Sequence, residues 1–82
     1  MTIYVKESGY DYFFRVDCAI RASRRGNEYL HIISADEISR SAYYKQPAAV
    51  RFVFPYKPTN SGPFRVVAFA NDAMFDRLRA LS

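Results

Sequence analysis

The sequence contains one cysteine, no tryptophan, three glycines and four prolines, and these scarcities exclude several classes of protein. With Cys18 alone no internal disulfide can form, which argues against a small stapled secreted scaffold and predicts a reducing compartment. A structural zinc centre takes about four closely spaced Cys, His or acidic ligands. Cys18 and His31 are the single members of their types, so no metal is expected. Gly9, Gly26 and Gly62 are isolated from one another, each beside a turn. No glycine-rich phosphate loop is therefore present, and no cofactor is expected. The longest clean apolar run, residues 66–70, falls far short of the roughly 20 residues that span a bilayer. The opening residues lack the basic start, apolar stretch and small-residue cleavage site of a signal peptide, which predicts a cytoplasmic protein with no membrane partner.

What is abundant is equally informative. Half of the 82 residues are hydrophobic and 17% are aromatic, enough apolar surface for a folded single domain over residues 1–82. The length excludes barrel enzymes and two-domain clefts. Twelve Lys and Arg against eight Asp and Glu leave a net charge of +4. The imbalance is local: Arg21, Arg24 and Arg25 cluster, and residues 38–71 hold Arg40, Lys45, Arg51, Lys57 and Arg65 with no acid among them. A positive face is expected, suited to anionic partners.

Alternation dominates the pattern. Tyr12, Phe14, Val16, Cys18, Ile20 and Ala22 occupy the even positions of residues 12–22, the period of a half-buried strand. Residues 2–6 read as an earlier strand and residues 28–33 as a returning one. A three-residue loop of Arg25, Gly26 and Asn27 would set Arg24 opposite Glu28 as an ion pair, and Ala22 opposite Leu30 and Ile20 opposite Ile32 on one apolar face. Ser34 and Glu37 have the spacing of a capping box, which predicts a short helix from there to about Lys45 with a narrow stripe of Ala35, Ile38 and Ala42. That leaves Tyr43 and Tyr44 near the helix's exposed end. Val50, Phe52, Phe54 and Tyr56 then alternate, as do Phe64, Val66, Ala68 and Ala70, predicting a second hairpin covered on both sides. Asn71 is the expected cap of a final helix that docks through Met74, Phe75, Leu78 and Leu81. The expected fold is α+β, an antiparallel sheet of about five strands with two short helices on one face, in the order β-β-β-α-β-β-α.

Catalytic constellations are sparse. Cys18 and His31 fall on opposite faces of the expected hairpin, out of reach of one another as a thiol–imidazole dyad. The acidic pairs Asp36–Glu37 and Asp72–Asp76 lie at expected helix starts, where they serve the helix dipole. The chain is accordingly expected not to be an enzyme and to have no catalytic residue. The residues expected to bind a partner are Arg15, Arg21, Tyr29 and His31 on the outward side of the hairpin, with Arg24 and Arg25 at its tip. Tyr and Arg are enriched at binding hot spots because they combine large contact area with a polar end. Basic and aromatic groups interleaved on a sheet also suit single-stranded nucleic acid, the alternative partner.

In size, α+β character and freedom from enzymatic motifs, the whole chain resembles the small single-domain inhibitors of the anti-CRISPR type encoded by phages and mobile elements. The resemblance implies a stoichiometric protein that occupies a surface of a CRISPR effector in the cytoplasm of a bacterial host. It carries no site residue over to this chain. Many such inhibitors are acidic DNA mimics, whereas this chain is basic, which directs it to an acidic or mixed protein surface or to guide RNA. A monomer and a homodimer are both compatible with the exposed sheet edge that such a fold leaves.

Overall fold

A computed structural model describes residues 1–55, 57–58 and 72–82. Strands β1 (Thr2–Glu7), β2 (Phe13–Ala22), β3 (Glu28–Ile38) and β4 (Arg51–Phe54) form one sheet in the order β3-β2-β1-β4. A five-residue helix, α1 (Arg40–Tyr44), and a 3₁₀ turn over Ala48–Val50 connect β3 to β4. A second helix, α2, covers Asp72–Leu81. The α+β class stands, but the sheet is mixed. The β1–β2 and β2–β3 pairs are antiparallel, whereas β4 runs parallel to β1. Parallel pairing requires a crossover, and the α1 segment supplies it by carrying the chain from one sheet edge to the other. Residues 64–70, expected to return as a fifth strand, and Asn71, the expected cap, lie outside the described residues.

The β2–β3 hairpin corrects the expected register. Its loop has three residues as anticipated, but they are Arg24, Arg25 and Gly26, one position earlier. Gly26 N–H donates to the Ser23 carbonyl at 2.9 Å, and Ser23 N–H to the Asn27 carbonyl at 2.8 Å. Gly26 has φ +82°, the left-handed conformation that closes such a loop and that side chains disfavour. Placing the glycine last in the loop shifts every pair, so Ala22 faces Glu28 and Ile20 faces Leu30. The partner moves by two residues, which leaves each side chain on its expected face. The expected Arg24–Glu28 pair gives way to another: Glu28 accepts from Arg79 of α2.

The second correction concerns residues 34–38, which are strand and not helix. Capping contributes only about 1 kcal/mol. Against it stand five continuous pairings with β2, from Asp17 opposite Ser34 to Phe13 opposite Ile38. A bulge makes this possible: Asp17 faces Ser34 and Cys18 faces Ile32, so Ile33 is the extra residue and is 52% exposed. The bulge resets the alternation and turns Ala35 toward the core that Leu30 and Ile32 enter. The helix starts instead at Ser39, whose side-chain oxygen accepts from the Ala42 N–H at 3.1 Å.

The core lies on one side of the sheet. Ile3, Val5, Phe14, Val16, Cys18, Leu30, Ile32, Phe52 and Phe54 are buried there with Phe75 and Leu78 of α2, while Met74 and Leu81 pack at its margin. Burying Phe75 and Leu78 contributes about 1.5–3 kcal/mol each. The helices do not share this face. Tyr43 of α1 packs on Phe13, with ring centroids 5.0 Å apart, and Phe13 points opposite to its neighbour Phe14. Hence α1 covers one end of the outward face and α2 covers the inward one. Val53, expected to be covered, is 55% exposed.

Candidate functional site

The outward face can be laid out from the strand register. Arg21 stands opposite Tyr29, and Ala19 opposite His31. Further along, Asp17 lies between Thr2 and Ser34, and its carboxylate accepts from the Thr2 hydroxyl at 2.8 Å. The next row crosses the whole sheet as Arg51, Tyr4, Arg15 and Asp36. The last row, Val53, Lys6, Phe13 and Ile38, runs beneath α1. Each residue reaches this face because pleating sends alternate side chains to opposite sides, and the inward set takes the apolar residues.

Of the residues singled out from sequence, Arg15 and Arg21 are exposed on this face, and Tyr29 and His31 are half-buried on it. Arg24 and Arg25 are exposed at the hairpin tip. The fold thus places four of them on one surface, with the tip pair at its far end. Cys18 is buried in the inward core opposite Ile32, while His31 is outward, so the two do not meet. Burial pushes the Cys18 thiol up to about 11, with the N-terminal ammonium opposing and Asp17 adding to the rise. A thiol so protonated is a poor nucleophile at neutral pH. Among the described residues no three His, Cys, Asp or Glu side chains group as metal ligands. No helix among them is long and apolar enough to cross a membrane.

Three residues outside the expected binding set complete the surface: Tyr4, Lys6 and Arg51. Their common signal was the alternation of β1 and β4, which puts them outward once Ile3, Val5 and Phe52 are inward. Arg51 lies over two rings, 5.9 Å from the Tyr43 centroid and 5.6 Å from that of Tyr44. Tyr43, expected near an exposed helix end, is instead buried, and its hydroxyl donates to the Phe52 carbonyl at 2.9 Å. Desolvation raises its pKa above the ordinary tyrosine value, with Arg51 opposing. Tyr44 remains 47% exposed, flanked by Arg51 and by Arg40 at 5.6 Å. Arg77 reaches from α2 to this region, lies 4.1 Å from the Phe52 ring centroid, and donates to the carbonyls of Ala48 at 3.0 Å and Arg51 at 2.8 Å. It ties the inward helix to the β4 edge. In comparisons with known proteins, the chain matches no family model, no curated protein and no solved structure.

Proposed function

We propose that the chain is a non-enzymatic binding protein that docks through the outward face of its sheet and the β2–β3 tip. The observation that carries this reading is the placement of Arg15, Arg21, Tyr29 and His31 on the face opposite α2. Arginine and tyrosine present large, semi-rigid contact area there, and Arg24 and Arg25 extend the positive charge past the end of the sheet. The partner in this reading is a protein with an acidic or mixed surface. The resemblance to phage and mobile-element inhibitors makes a CRISPR effector subunit in a bacterial cytoplasm the partner to test first. The corresponding action is to block that effector by contact, without chemistry.

The test immobilises a guide-loaded CRISPR effector and measures binding of the wild-type chain and an Arg21→Glu/Arg24→Glu variant by interferometry. Saturable wild-type binding is expected, with a loss of at least about 30-fold on charge reversal, since a central arginine contributes about 2 kcal/mol or more. Unchanged binding by a folded variant overturns the site assignment.

The Arg51–Tyr4–Arg15 row supports a second reading, a small single-stranded nucleic-acid-binding protein. A ring between two guanidinium groups offers a base its stacking surface and the flanking phosphates their counter-charges. That reading requires affinity for labelled single-stranded DNA or RNA that falls steeply between about 50 and 200 mM salt. No shift of either strand at low salt removes it.

A further inference from the structure

We propose that the cleft between α1, the Ala48–Val50 turn and β4 is a binding site for a nucleoside monophosphate unit, its phosphate held by Lys6 and Arg51 and its base stacked on Tyr44. The cleft has a volume of about 620 Å³. Lys6, Arg51 and Arg77 line it together with Tyr43 and Tyr44, and no carboxylate does so among the described residues. Three cations brought together without an acid create a field that selects an anion. The guanidinium groups favour phosphate, which matches their planar fork of donors.

Two further observations narrow the ligand. Arg51 Nε is buried and donates to no acceptor among the described residues, although the rest of the side chain is held over the rings of Tyr43 and Tyr44. Arg51 also lines the cleft, so an acceptor oxygen bound there would lie beside a guanidinium whose Nε lacks a partner among the described residues. The cleft is shallow and open to solvent, and its volume far exceeds what a phosphate group fills, which leaves room for a larger unit beside the phosphate. Tyr44, half exposed beside it, supplies a surface for a flat ring in place of the Arg40 guanidinium, which lies 5.6 Å from its centroid. Arg77 is committed to the carbonyls of Ala48 and Arg51, so it shapes the wall and adds charge without needing to move.

The site shares Lys6 and Arg51 with the outward face proposed above, but it lies at the α1 end of the sheet, away from the β2–β3 tip, so its failure is distinguishable from that of the Arg21 and Arg24 contact. The experiment titrates the ¹⁵N-labelled protein with thymidine monophosphate, with oligothymidylate and with inorganic phosphate, following backbone amide shifts. Saturable shifts at Tyr44, Ala48, Ala49 and Arg51 are expected with thymidine monophosphate, and tighter ones with the oligonucleotide. Tyr44→Ala should weaken nucleotide binding about tenfold, the lower part of the range for loss of one stacked base. Lys6→Gln should weaken both nucleotide and phosphate, and Arg21→Glu/Arg24→Glu should leave the cleft shifts in place. Absence of shifts at millimolar nucleotide overturns the proposal. So do equal affinities for nucleotide and inorganic phosphate, or shifts confined to the hairpin tip.

Discussion

Truncating Leu78 to alanine tests the arrangement that leaves the basic face open. Leu78 is fully buried, and with Phe75 it is what α2 inserts into the inward core. A ten-residue helix is too short to persist alone, so α2 depends on this docking. Leu→Ala at such a site costs about 3 kcal/mol, from lost transfer energy plus the cavity left between helix and sheet. For a domain of this length each kcal/mol lowers Tm by about 4–8 °C, so the melting temperature should fall by about 12–24 °C. Thermal denaturation followed by far-ultraviolet circular dichroism reads this directly. Ala80→Gly, at an exposed position of the same helix, is the control and should cost no more than about 1 kcal/mol. If Leu78→Ala shifts the transition no more than Ala80→Gly does, α2 is not seated on the inward face, and the argument that Arg15, Arg21, Tyr29 and His31 face away from it collapses.

Two other variants probe the interior. Cys18→Ala should cost about 1 kcal/mol and leave partner binding intact. Because the folded state holds the Cys18 thiol protonated up to about 11, against 9.0 ordinarily, its contribution is complete below pH 9 and is lost as pH rises from there toward 11. Urea denaturation across that interval should therefore show a steeper loss of stability for the wild-type chain than for Cys18→Ala, and parallel curves would refute the burial argument. Tyr43→Phe keeps the ring on Phe13 but removes the donor to the Phe52 carbonyl, so it should lower stability by about 1 kcal/mol in the same assay. No change would mean that this bond does not hold α1 to β4.

Much of the architecture was legible because it is local. The even-numbered run ending at Ala22 encodes β2 through a period of two, and the i, i+4, i+7 spacing of Met74, Leu78 and Leu81 encodes α2 through a period near 3.6. Gly26 marked the hairpin, and the inward or outward sense of each residue from Arg15 to His31 survived a misplaced loop because the slip was even. The capping-box spacing at Ser34 misled because it is a short-range preference. It competes with pairing partners 17 to 25 residues away, from Asp17 opposite Ser34 to Phe13 opposite Ile38, which no window around Ser34 contains.

Within β1, β2, β4 and α2 the amino-acid order settles which side chains share a face, because pleat and helical pitch are properties of neighbouring residues. It does not settle which strand lies beside which, since Tyr4 meets Arg51 across the parallel β1–β4 pair only after the chain has crossed the sheet. Nor does it set the Ile33 bulge or draw Arg77 onto the Ala48 and Arg51 carbonyls. Those contacts join residues far apart in the chain, and their energies are gained only when the whole core closes. The cationic cleft beside α1 is a product of that closure.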